Sequence, residues 1–239
     1  MTLTSSLVYA EQEKLNFITV EYCPLSCKLN KGFALELTQE LAAQSKSQIT
    51  VKQASIQRAF QAITEKTKYH GMILGSKEHV PNSIFMKRPI YSQHIRFFSR
   101  KSLDWKYKGV DSLKGKRLAI IKGFHYKDQE VMNYIKNASD VNKLFHSDSV
   151  PKLIKMLDLN RIDIFIAGEG VARYHLNKEK LKNQFVISNK SLGRYDNYIS
   201  FSKNHQSSEK YKLKFDQAFE SFKKTKKFKD LLKKYFLID

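Results

Sequence analysis

The groups able to do chemistry in this chain are seven histidines, at positions 70, 79, 94, 125, 146, 175 and 205, and two cysteines, Cys23 and Cys27. A protein-bound metal needs several lone pairs converging on one point, which shows in sequence as short, fixed ligand spacings. The histidines here have no such spacing, and neither H-E-x-x-H nor G-x-S-x-G occurs. No metal and no cofactor are expected. Both cysteines stand in one segment, Cys23-Pro-Leu-Ser-Cys27, with no histidine close by to complete a metal set. In an exported chain the pair reads as a small disulfide staple, which the turn-favouring Pro24 would help to close; two free thiols are the alternative.

Charge permits many partners without choosing one. Lys and Arg number 43 against 23 Asp and Glu, for a net charge of +20, a field that attracts nucleic acid, acidic lipid and small carboxylates alike. Lys dominates and is spread over the whole chain, without zinc-finger spacing, an RNP-like strand or an Arg-rich arm. A solvated basic surface is therefore expected, and nucleic acid is not an expected partner. No apolar run approaches the roughly 18 residues of a membrane helix. Thr2–Ala10 is small, apolar and uncharged, with Val8 and Ala10 at the −3 and −1 positions of a signal-peptidase site. Residues 1–10 thus read as the remnant of a secretory signal without a lipobox cysteine, which makes the periplasm the expected location.

The elements that must position any site alternate between strand and helix. Lys14–Tyr22 has strand periodicity, Gly32–Gln44 puts Phe33, Leu37 and Leu41 on one helical face, and Ile49–Gln53 is a short strand. Ser55 can cap a helix over Ile56–Glu65, and His70–Leu74 is the next strand. A βαβαβ unit of this kind favours parallel strands. Ile90–Lys101 reads as an extended crossing to a second unit: strand Leu118–Lys122, turn Gly123, helix Tyr126–Asn137, strand Lys143–His146, helix Val150–Leu159 and buried strand Ile162–Ala167. Phe185–Ser188 and Tyr198–Ser202 are extended and read as the return crossing. Glu209–Phe236 reads as two helices whose Phe and Leu pack on the core while Lys fills the opposite faces, in preference to a membrane-binding amphipathic helix.

Several segments together resemble the family 3 bacterial extracellular solute-binding proteins. They are the helix start Gly32-Phe-Ala-Leu-Glu-Leu37, the pair Gly71-Met72, Pro89-Ile-Tyr91, the run Asp111-Ser-Leu-Lys-Gly-Lys-Arg-Leu-Ala-Ile-Ile-Lys-Gly123 and the segment Leu159-Asn-Arg-Ile-Asp-Ile-Phe-Ile166. The resemblance implies an α/β, two-lobed periplasmic binding protein of type II, each lobe a mostly parallel sheet flanked by helices, the two joined by two hinge strands. Lobe 1 would comprise residues 11–94 and 196–239, and lobe 2 residues 95–195. Such a protein is a non-catalytic monomer that closes on a small polar ligand, an amino acid or a related compound, and delivers it to an inner-membrane ABC permease.

The family's amino-acid binders carry an Arg after the Gly-Met strand, an acid at the end of the later buried strand and a small hydroxyl residue after the Lys-Gly turn. Here the first stretch is Gly75–Pro81, with Glu78 or His79 near the Arg position; the acid position is Gly168, with Glu169 next; and Phe124 and His125 follow the turn. Arg58, at a helix start near the cleft edge of this fold, can fork onto a carboxylate, and Arg88 and Arg96 flank the first crossing. Glu169 can take an amine, and Tyr22 and Phe124 can sandwich the ligand. The expected ligand-binding set is Tyr22, Arg58, Gly71, Met72, Glu78, Arg96, Phe124, His125 and Glu169. Two other functions are open: a dehydratase-like enzyme on the same fold using His125 and Glu169 as an acid–base pair, and an orphan sensory or anionic-polymer-binding protein.

Overall fold

The structure, a computed structural model, describes residues 13–65, 68–121, 126–138, 141–144 and 149–237. Residues 1–10, the Gly123 turn, Phe124 and His125 lie outside the described residues.

The first lobe is built on strands β1 (Glu13–Val20), β2 (Ser47–Ala54) and β3 (Gly71–Gly75), with β1 parallel to both neighbours. Helix α1 (Phe33–Gln44) links the first two strands and α2 (Ile56–Glu65) leads to the third. Helix α1 starts at Gly32, whose φ of 133° belongs to glycine; a Cβ there would stand 2.6 Å from the Leu25 carbonyl oxygen. A short strand β4 (Ser83–Phe85) follows, and β5 (Tyr91–Arg100) then leaves for the second lobe.

There β6 (Leu118–Ile121) lies between β7 (Asn142–Leu144) and β8 (Ile164–Gly168), parallel to both, and β5 pairs antiparallel with β8. Helices α3 (Gln129–Asn137), α4 (Ser149–Asp158) and α5 (Glu169–Lys178) accompany them. Strand β9 (Phe185–Ser202) serves both lobes. Its residues 185–197 pair with β5, and its residues 198–202 pair with β3 and β4. Helices α6 (Ser208–Phe222) and α7 (Lys226–Lys234) close the chain.

The helix read from Tyr126 begins at Gln129, because the Asp128 carboxylate accepts the Val131 amide at 3.1 Å and caps it there. The two extended pieces at 185–188 and 198–202 are one strand, and β4 and α5 had no counterpart in the sequence reading.

Among the described residues, three buried apolar clusters hold the two lobes. The largest runs from α1, β1 and α6 through β3 to α4, α5 and β8, so it is shared between lobes. Each large side chain it removes from water is worth about 1.5–3 kcal/mol. The others lie beneath α2, around Ile18, Ile63 and Met72, and beneath α3, around Phe97, Leu118 and Val131. No helix among the described residues is long and apolar enough to cross a membrane.

Candidate ligand cleft

In parallel α/β sheets the carboxyl ends of the strands are where chain turns, helix N-termini and ligands meet. In lobe 1 these ends deliver Tyr22 after β1, the start of α2 after β2, and Ser76–Pro81 after β3. In lobe 2 the end of β8 delivers Gly168 and Glu169. The two crossing strands β5 and β9 run between, and contribute Tyr91, Gln93 and Tyr195.

One polar group gathers around His79. Its Nδ1 lies 2.7 Å from both the Ser76 and the Tyr195 hydroxyl oxygens, and Tyr195 donates to Ser76 Oγ at 3.1 Å. The ring of Phe60, from α2, stacks on the imidazole at 4.9 Å. Burial pushes the Tyr195 phenol up to about 12, so it stays a neutral donor at physiological pH.

A second group joins the lobes at Tyr22. Gln93 Nε2 donates to the Tyr22 hydroxyl at 3.4 Å, and Gln93 Oε1 accepts from the Val171 amide at 3.4 Å. Burial raises the Tyr22 phenol above its ordinary range. The same Gln93 crowds the glycine at 168: a Cβ on Gly168 would stand 2.3 Å from Gln93 Oε1. The amide occupies the space a side chain at 168 would need. Next to Tyr22, Cys23 and Cys27 form a disulfide, and His175 Nε2 on α5 donates to the Cys23 carbonyl at 3.1 Å, a further contact from lobe to lobe.

The charged residues pair with one another. Glu169 binds Arg96 Nε, and it accepts from Arg173 at 2.8 and 2.9 Å. Arg96 also donates to the carbonyls of Ser188 and Asn189, at 3.1 and 2.7 Å. Burial pushes the Glu169 carboxyl up, but the hydrogen bonds from Arg173 and Arg96 outweigh it and hold the group ionised. Glu78 meets Lys127 at 3.1 Å, from the loop after β3 to the loop before α3, and so spans the two lobes.

Of the residues nominated from sequence, the structure brings Tyr22 to the meeting of the lobes, Arg96 and Glu169 to one ion pair, and Glu78 to the cross-lobe pair. Arg58 is exposed on the first turn of α2, at the cleft end of lobe 1. Gly71 and Met72 stand apart, inside the lobe-1 sheet: Met72 is buried, and a Cβ on Gly71 would meet the Ser200 carbonyl oxygen at 2.4 Å. Ser76, Gln93, Lys127 and Tyr195 were not nominated, because no motif marks them. Among the described residues no set of His, Cys, Asp and Glu could hold a metal ion.

No family model matches the sequence, and no curated protein matches it. Solved structures match in shape. The GluR0 ligand-binding core from Nostoc punctiforme, in complex with L-glutamate, superposes with a TM-score of 0.72 at 18% identity, covering 93% of this chain and 99% of that one. A substrate-binding protein of an ABC uptake transporter from Streptococcus pneumoniae, with bound histidine, gives 0.73 at 16% identity, covering 95% and 93%. A histidine kinase sensor domain similar to periplasmic binding proteins gives 0.70 at 15%, covering 94% and 96%. With β5 and β9 joining two α/β lobes, the chain has the two-lobed type II fold of the periplasmic solute-binding proteins.

Proposed function

We propose that the chain is a periplasmic solute-binding protein, a monomer that captures an amino acid or a related small polar compound between its lobes and passes it unchanged to an inner-membrane ABC permease. The observation that carries this reading is the convergence of hydrogen-bonding groups from lobe 1 and the two crossing strands on the strand ends, Ser76, His79 and Tyr195 on one side and, where the lobes meet, Tyr22 and Gln93, the latter also held by the Val171 amide of lobe 2. The ligands named for the similar structures, glutamate and histidine, support the class of ligand. The disulfide supports an oxidising compartment. The lobes would divide as residues 11–94 with 196–239, and 95–195; the switch of β9 from β5 to β3 after Asn197 supports a boundary there. Phe124 and His125, nominated from sequence, remain proposed ligand contacts, with Arg58 reaching a ligand carboxylate from the rim.

Thermal unfolding against the common amino acids, amines and dicarboxylates tests this. A ligand at a hundred times its Kd adds about 2.7 kcal/mol and raises the melting temperature. Tyr195→Phe should then weaken that ligand by about tenfold, the worth of one hydrogen bond in a desolvated site. No shift with any compound, or chemical conversion of one that binds, would overturn the reading. A sensory role with the same cleft is the second reading, favoured by the similarity to a histidine kinase sensor domain; ligand binding without transfer to any permease would select it.

A further inference from the structure

We propose that the face formed by α7 and the loop Lys28–Lys31 docks the protein on an anionic lipid bilayer, as a site separate from the ligand cleft. Helix α7 spends its apolar side on the core, where Phe228, Leu231 and Leu232 pack against the main cluster. Two of its lysines are neutralised within the protein, Lys227 by Glu40 at 2.5 Å and Lys234 by Glu36 at 2.8 Å. Lys226, Lys229 and Lys233 are exposed and form no ion pair among the described residues. At 3.6 residues per turn their spacing sets them in one stripe.

Fold stability does not account for this arrangement. The positive end of a helix dipole favours acids in the first turn, yet α7 opens with two lysines and no acid there. The Lys28–Lys31 loop adds a second unexplained feature. Leu29 is 85% exposed and adopts φ 58°, followed by Asn30 at φ 53°. A leucine in the left-handed region costs roughly 1–2 kcal/mol and gains nothing from water. The tip is held out by the Cys23–Cys27 disulfide and by the Cys27 amide, which donates to the Lys31 carbonyl at 2.6 Å. Asn30 lines one groove together with the paired Lys227 and Lys234 and the acids Glu36, Glu40 and Asp230, so the loop lies along one flank of α7, beside its lysine stripe.

The occupant follows from the chemistry. A bilayer carrying acidic headgroups presents a diffuse negative potential that attracts point charges, and its headgroup boundary accepts one apolar tip. The stripe contains Lys and no Arg, where a reader of individual phosphates favours the guanidinium fork. Attachment without a buried amphipathic face is electrostatic and reversible, and salt must weaken it.

The full chain is sedimented with vesicles of phosphatidylcholine alone and of phosphatidylcholine mixed with phosphatidylglycerol. Binding is expected to the mixed vesicles only, and to be lost in high salt. K226Q/K229Q/K233Q should weaken it roughly a hundredfold, at about tenfold per 1.4 kcal/mol and about 1 kcal/mol per lysine. Leu29→Ser should weaken it several-fold further. K101Q/K106Q/K108Q, on exposed lysines of the other lobe, removes the same charge and should change it little. Unchanged melting temperatures establish that each variant is folded. The proposal is overturned by equal losses in the two triple variants, by absence of binding to the mixed vesicles at low salt, or by an α7 variant that loses retention on heparin while keeping its vesicle binding.

Discussion

A charged side chain can be read from sequence, but whether it is free to meet a ligand depends on what faces it. Glu169 illustrates this: its side chain is 22% exposed, and Arg96 beside it is 20% exposed. Glu169→Gln would leave Arg96 and Arg173 without a counter-charge in partly desolvated positions. We expect a loss of about 2 kcal/mol, or roughly 4–8 °C in melting temperature for a chain of this size. A shift within about 1 °C would instead place the pair among solvent-screened ion pairs. Histidines carry a second prediction at this scale. Burial and then the neighbouring His205, with ring centroids 3.9 Å apart, depress the His70 pKa, and burial depresses that of His175. Below about pH 6.5 the unfolded chain binds protons that these native rings refuse, so stability falls as pH drops through that value toward the lowered native pKa values. Melting curves taken between about pH 8 and pH 5 should show the fall. His70→Asn with His175→Gln should flatten it, because Asn offers an acceptor where His70 Nδ1 takes the Asn16 amide, and Gln a donor where His175 reaches Cys23. A slope unchanged in the double variant would refute the assignment.

Elements transmit these local choices to the cleft, and the turn from β8 into α5 is the one most exposed to test. Gly168→Ala suits the backbone there, at φ −66° and ψ 130°. Its Cβ meets only the flexible end of Gln93. We expect a stability change under about 1 kcal/mol, but loss of the bond from Gln93 to Tyr22 and weaker ligand binding. Gln93→Gly in the same chain should add little further loss, since the two changes act on one amide; additive losses would show that they act separately. Other elements differ in how legible they are from the chain alone. Helices α1 and α2 declare themselves through local apolar spacing, and the end of α2 at Glu65 matches the sequence reading. Helix α5 does not, because its buried side is Val171, Ala172, His175 and Leu176, a weak apolar stripe. The middle of β9, Asn189–Tyr195, is mostly polar and is kept extended by pairing with β5, so periodicity shows only its two apolar ends. The cleft is harder still: Arg96 and Glu169 are 73 residues apart, and Ser76 and Tyr195 are 119 apart. Residue types can nominate such groups, but only the fold pairs them.

At the scale of the whole molecule, the question is what holds one lobe against the other. The apolar cluster shared through α5, and the bond from His175 to Cys23, lie on the side where the chain crosses between lobes. Across the cleft the described cross-lobe ion pair is Glu78 with Lys127, 47% and 42% exposed for Lys127 and Glu78. The stem of Lys127 lies over Gly193 of β9, where a Cβ would stand 2.6 Å from it, so the ammonium is steered rather than loose. An exposed pair of this kind is worth about 0.2–1 kcal/mol. It therefore cannot lock the lobes, but it can shift the ratio of closed to open by up to about fivefold. Ligand affinity scales with the closed fraction, so Glu78→Lys should weaken binding several-fold, through faster release rather than slower capture. Lys127→Glu in the same chain restores the attraction with the charges exchanged, and should return the affinity most of the way. High salt should erase the difference between the variants, because the pair is exposed and the screening length shrinks to about 3 Å at 1 M. A reversed pair that binds no better than E78K alone would mean that Glu78 touches the ligand itself, the role its position after the Gly-Met strand first suggested.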